Sequence, residues 1–133
     1  MILAACNKNG DAVLQEQPVA KKIEFHVHAG QQYTEPVYQG ITAEVKLAIY
    51  KINYRTGQSQ LLWETGYDAR PLASYPHLPQ KFLVEKEYEV LESKEKLQAN
   101  YTIRYFTPQG PTMETRAEEL VPGDKFAFLD VGI

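Results

Sequence analysis

The chain has 133 residues and a mass of 15.2 kDa, the length of one domain and enough to bury a core. Apolar residues make up 44% and charged residues 23%, values that exclude a disordered chain. A net charge of −3 excludes a strongly basic nucleic-acid surface, and one cysteine excludes an internal disulfide framework or a multi-cysteine metal centre.

The first residues read Met1-Ile2-Leu3-Ala4-Ala5-Cys6. The run Leu3-Ala4-Ala5-Cys6 resembles the lipobox of bacterial lipoproteins: an aliphatic residue, two small residues and a cysteine. The resemblance implies cleavage before Cys6 and acylation of its thiol and new amino group. Residues 1–5 are then the remnant of a signal peptide, although a full signal carries a basic region and a longer apolar stretch than Met1-Ile2 supplies. Residues 6–21 read as a lipid-anchored flexible tether. Asn7 to Ala20 is poor in large apolar residues and carries Gly10 and Pro18; such a coil spans roughly 20 Å r.m.s.. Asn7 rather than Asp after the cysteine points, by the same resemblance, to the outer membrane of a cell envelope.

From Lys22 to the end the sequence predicts a β domain, 22–133, because apolar residues recur with period two. Ile23, Phe25, Val27 and Ala29 alternate with Lys22, Glu24, His26 and His28. Ile41, Ala43, Val45, Leu47 and Ile49 form a second stripe, and parity then switches to Tyr50, Ile52 and Tyr54. An inserted residue flips every later side chain, so the switch predicts a bulge near Tyr50 or Lys51. Arg55-Thr56-Gly57-Gln58 is a turn, and Leu61, Trp63, Thr65 and Tyr67 make the returning arm of a hairpin, with Trp63 directed at the core.

A breaker-rich loop is predicted from Gly66 to Pro79. Phe82, Val84, Tyr88 and Val90 mark the next strand, with Glu85, Glu87 and Glu89 opposite as a solvated acidic face. Ser93 to Lys96 turns the chain, and Leu97, Ala99, Tyr101, Ile103 and Tyr105 face inward on the strand that follows. Thr107 to Pro111 is a loop. Thr112 to Glu118 reads as a short strand, with a short helix over Glu114 to Leu120 as its competitor by propensity. Pro122-Gly123-Asp124 is a type II turn. The last strand, Lys125 to Val131, is apolar at Phe126 and Phe128 and also at Ala127, Leu129 and Val131, so both its faces are expected to be buried.

The fold class that follows is all-β: a single antiparallel β-sandwich of about seven strands. Val45-Lys46-Leu47-Ala48-Ile49-Tyr50 and Leu120-Val121-Pro122-Gly123-Asp124-Lys125-Phe126 resemble runs of immunoglobulin-like or transthyretin-like modules on bacterial surface proteins.

The chemistry-bearing residues are sparse. His26 and His28 share one strand face about 7 Å apart, but the nearest downstream carboxylate is Glu35 and two ligands do not make a metal site, so no metal or other cofactor is expected. No Gly-x-Ser-x-Gly elbow, phosphate loop or fixed partner base for Cys6 is present, and an enzyme is not expected. Tyr67, Tyr75 and His77 in the breaker-rich loop are the expected ligand-binding residues, because rigid loops on a sandwich often recognise partners; the competing view is that this loop only crosses between sheets. The function expected is a lipid-anchored cell-envelope protein, a non-catalytic binding module for protein or glycan. The alternative is a structural subunit or assembly factor of a surface complex, pairing its edge strands with partners. Nucleic acid is not an expected partner, and the oligomeric state is left open.

Overall fold

The computed structural model describes residues 15–133 of the chain. Among these described residues seven strands follow one another: β1 Val19–His28, β2 Thr42–Asn53, β3 Ser59–Pro71, β4 Phe82–Val90, β5 Glu95–Thr107, β6 Gly110–Leu120 and β7 Phe126–Gly132. Single 3₁₀ turns sit at Pro36–Tyr38, Leu72–Ser74 and Leu78–Gln80. A three-stranded sheet has the order β4-β1-β7 and a four-stranded sheet the order β3-β2-β5-β6. All pairs are antiparallel except β1 with β7, which run parallel, Lys22 opposite Phe126 and Val27 opposite Val131. The sandwich is as the period-two pattern predicts, with one parallel pair in place of a wholly antiparallel arrangement. Strands 1, 4 and 7 share one sheet, which is not the immunoglobulin constant-type division, where the first strand lies with the second, fourth and fifth.

The core lies between the sheets. Ile23, Phe25 and Val27 of β1 meet Ala43, Val45, Leu47 and Ile49 of β2 and Leu97, Ala99, Tyr101 and Ile103 of β5, with Leu129 and Val131 of β7 closing one side. These are the alternate residues of each strand, because successive side chains leave a pleated strand on opposite faces. The expected parity switch is corrected: the β2–β3 register does shift between Ile49 and Tyr50, but the extra residue is Leu62 of β3, and β2 stays in unbroken register with β5 through Asn53, so its own faces are not reversed. Gly57 takes φ +73°, as the β2–β3 turn requires.

Four other local expectations are corrected. β1 begins at Val19, so residues 19–21 belong to the sandwich and not to a tether. β3 continues through Gly66 to Pro71, with Tyr67 opposite Val45 and Arg70 opposite Ala43; only 72–81 is a connection. β3 is a sheet edge, where a terminal proline costs no ladder hydrogen bond. β6 is a full strand from Gly110 to Leu120, because pairing with β5 along its whole length outweighs the helical preference of its glutamates. β7 is buried on one face only: Leu129 and Val131 are in the core, while Phe126 and Phe128 remain 51% and 53% exposed.

Strand direction gives the sandwich two unlike ends. The connections 54–58, 91–94 and 121–125 lie at the end where β1 starts. The connections 29–41, 72–81 and 108–109 and the last residues lie at the other. Backbone bonds confirm the grouping: Tyr54 N–H donates to Lys94 O (2.8 Å) at the first end, and Ala29 N–H to Pro76 O (2.7 Å) at the second. The two ends are called proximal and distal below, from the entry of the N-terminal segment.

Candidate functional site

At the distal end two long connections meet. Leu72 N–H donates to Ile41 O (3.4 Å), so 29–41 and 72–81 lie side by side. Gly30 packs where a Cβ would come 2.9 Å from Ile133 O, which fixes a glycine at the first bend. The Tyr33 and Tyr38 rings meet edge to face, centroids 4.8 Å apart. The Tyr33 hydroxyl donates to Ile133 O, and Gln31 Nε2 donates to the Tyr38 hydroxyl (3.2 Å). Burial raises the pKa of the Tyr33 phenol above its ordinary value. Tyr33, Tyr38, Ile41, Pro71 and Leu72 wall a cleft of about 230 Å³. It is smaller than the roughly 300–1,000 Å³ of sites that enclose a drug-sized ligand, and it suits one ring or side chain. Val37, 68% exposed, and Leu78 project from the same end.

The three residues expected to bind lie nearby but do different work. Tyr75 is 2% exposed and its hydroxyl donates to Ala43 O (2.7 Å), so it plugs the end of the core and presents nothing to a ligand. Burial, the largest influence on it, pushes its phenol up to about 12, against the opposing Arg70 charge. Tyr67 lies on β3, half-buried and stacked on Phe82 with centroids 5.1 Å apart. His77 is exposed on the connection. Arg70, which sequence reasoning passed over, ties the group together: its guanidinium lies 5.2 Å from the Tyr75 ring and 5.5 Å from the Phe82 ring. Its Nε donates to Ser74 Oγ (3.0 Å). The connection 72–81 does cross between the sheets, from β3 to β4, as the competing view required. Trp63 is half-buried rather than central. It packs against Phe25 (6.0 Å between centroids) beneath the Lys86 ammonium (4.9 Å).

Tyr33 and Tyr38 are the residues missed. A signal was available, two tyrosines between Gly30 and Gly40 in a segment without strand alternation.

The two strand histidines are each tied to a carboxylate. His26 Nε2 meets Glu24 Oε1 at 2.9 Å. His28 Nε2 bonds Asp130 Oδ1 of β7, while its Nδ1 donates to Ala29 O (2.9 Å). Hydrogen bonding to His26 leads the causes that hold the Glu24 carboxyl below its ordinary range. Among the described residues, no three His, Cys, Asp or Glu side chains come together as a ligand set for a metal.

The proximal end is closed by a buried cation. Lys21 has no exposed surface, although its neighbour Lys22 is in solvent. Its Nζ donates to Val121 O (2.9 Å) and pairs with Glu92 Oε2 (2.9 Å). Glu92 Oε2 also accepts from Gly123 N–H (2.7 Å). Lys21 first and Gly123 second hold the Glu92 carboxyl below its ordinary value. Beside it, Glu16 accepts from Ser93 N–H (2.9 Å) and Ser93 Oγ (2.5 Å), so the segment leading into β1 is docked at this end. Cys6, the expected lipidation residue, lies outside the described residues, as does the signal-peptide remnant.

No family model, no curated protein and no solved structure matches this chain.

Proposed function

We propose that the chain is a cell-envelope protein, lipid-anchored through Cys6, whose sandwich is a non-catalytic binding module meeting a protein or glycan at its distal end. The observation that carries this reading is the polarity of the sandwich. The N-terminal segment enters at the end of short turns, through Glu16 and Ser93, and the two long connections gather at the opposite end.

Residues 6–14 span at most about 30 Å when fully extended, so an acylated Cys6 keeps the proximal end near the bilayer. β1 then carries the distal connections about 30 Å further out. Lipoproteins carry two or three acyl chains, and stable anchoring takes more than one. The tyrosine pair, the small cleft and the exposed Val37 and Leu78 give the outward end aromatic and aliphatic surface beside amide groups, the mixture that stacks on sugar rings or covers an apolar side chain.

Two measurements test the reading. Expressed from its natural start, the protein partitions with membranes into detergent, and Cys6→Ala releases it. In a soluble form beginning at residue 15, binding to immobilised envelope glycans or solubilised envelope proteins falls at least about tenfold in a Val37→Ser, Tyr38→Ala variant. The melting temperature moves by only a few degrees, since Val37 is exposed and Tyr38 is half-buried at the rim of the core. Unchanged fractionation of Cys6→Ala overturns the anchor, and unchanged binding overturns the distal site.

A further inference from the structure

Among the described residues four strands lie at sheet edges, and three of them are guarded by charge. β3 carries Glu64, Asp68 and Arg70; β4 carries Glu85, Lys86, Glu87 and Glu89; β6 carries Glu114, Arg116, Glu118 and Glu119. Charged side chains are the usual protection of an edge against further strand pairing. β7 carries only Asp130, and that carboxylate is engaged by the His28 ring. On its outer face Phe126 and Phe128 stand about half exposed, Phe128 against the His26 ring at 4.8 Å between centroids.

The sheets are also unequal. Among the described residues the three-stranded sheet stops at β7, and the four-stranded sheet continues to β6. Beside β7 is a hollow of about 280 Å³ with Tyr101, Arg116 and Glu118 on one side and Phe128, Leu129 and Asp130 on the other. A strand added to β7 would cover this hollow and bring the smaller sheet to four strands. It would satisfy the edge amides and carbonyls of β7, which is the energetic basis of strand addition.

Charge selects the occupant. Arg116 Nε lies 3.5 Å from Glu114 Oε2, so its charge is already matched on β6. Glu118 and Asp130 then leave the walls of the hollow acidic. A second copy of β7 would offer Ala127, Leu129 and Val131 on its inward face, and the only cation of that parity, Lys125, lies outside the strand and not within it. We infer that the β7 edge is a docking site for an extended segment of a partner protein, apolar at alternate positions and bearing a lysine or arginine that meets Glu118. This inference is independent of the distal site, and either can fail alone.

Three labelled peptides of about nine residues, the length of an ordinary strand, test it on the soluble chain: alternating valine and lysine, alternating valine and glutamate, and the lysine composition in scrambled order. The alternating lysine peptide should bind at least about tenfold more tightly than the other two in fluorescence anisotropy. Hydrogen exchange should slow in β7 and not in β3, β4 or β6. Phe128→Asp should weaken binding about tenfold, and Glu118→Lys should transfer the preference to the glutamate peptide. Equal binding of ordered and scrambled peptides means charge attraction alone and overturns the site, as does protection at another edge. A dimer of the free chain in sedimentation, abolished by Phe128→Asp, assigns the edge to a second copy and also overturns it. Protection of β7 that is present without peptide in the full chain and absent from the form beginning at residue 15 assigns it to the chain's own N-terminal segment, with the same consequence.

Discussion

The two ends of the sandwich are closed by different physics. At the proximal end short turns are held by polar side chains on backbone groups. Asn53 Oδ1 accepts from Arg55 and Thr56 N–H (2.9 and 3.1 Å), Glu95 Oε1 from Leu91 N–H (2.9 Å) and Asp124 Oδ2 from Val121 N–H (3.1 Å). Lys21 and Glu92 bridge β1 to two of these turns. At the distal end longer connections are held by burial: Leu72 and Tyr75 plug the core, and Tyr67, Phe82 and Arg70 stack over them. A polar clasp allows short connections, since each side-chain oxygen accepts from a backbone N–H that the turn leaves without a ladder partner. An apolar plug needs a longer excursion of chain to bring its side chains inward, and it leaves the rest of that chain on the surface, where recognition is possible.

The distal plug should be the costlier of the two to remove. Tyr75→Ala empties a large buried site and deletes its bond to Ala43, and is expected to cost about 3–5 kcal/mol in urea unfolding. Hydrogen exchange in that variant should quicken over 72–81 and leave 91–94 as it was; uniform quickening would mean the two ends are not separate units.

Lys21→Ala comes next. It leaves Glu92 without its cation but still reaching water, so about 3 kcal/mol is expected, the lower end for a broken buried pair. Exchange should now quicken at 121–124. Lys21→Met, which keeps the stem, should recover part of the loss. If methionine and alanine are equivalent, the lysine contributes through charge alone.

The smallest expected effect is an asymmetry in pH. Glu92 is held below its ordinary value of 4.5, so its contribution is present above that value and is lost as the pH falls through the lowered one. Tyr75 and Tyr105 are pushed up to about 12 by burial, so their contribution is intact below pH 10 and is lost as the pH rises from about 10 through about 12. Urea midpoints should therefore fall at both extremes. Lys21→Ala should flatten the acid side and leave the alkaline side unchanged; equal flattening of both would sink the assignment.

Much of the architecture is local and so was readable. Alternation in 23–29, 41–49, 82–90 and 97–105 reports which side of a pleated strand is buried. The change of pattern at Ile49/Tyr50 marks the place of a register shift but not its strand, since the extra residue is Leu62 of β3 and β2 keeps its register with β5. Gly57 and Pro122-Gly123 report turns through the φ values they allow. The candidate site was less legible. Tyr75 carries the same aromatic signal whether it plugs a core or faces a ligand, and only the direction of its hydroxyl toward Ala43 separates the two. Lys21 and Lys22 are adjacent and chemically alike, yet one is buried and the other solvated, because only Lys21 lies on the face from which Glu92 and Val121 can be reached.

By itself the sequence determined the strand class, the inward faces of the central strands, the turns and the scarcity of chemistry-bearing residues, all properties of side-chain period and backbone preference within a few residues. Tertiary structure decided which strands are edges. That choice made β3 run on through Gly66 to Pro71 and let a glutamate-rich segment pair as β6. It also left Phe126 and Phe128 in solvent although β7 is apolar on both faces. Strand pairing joins residues as distant as Lys22 and Phe126, and no local pattern encodes which neighbour a strand will lack.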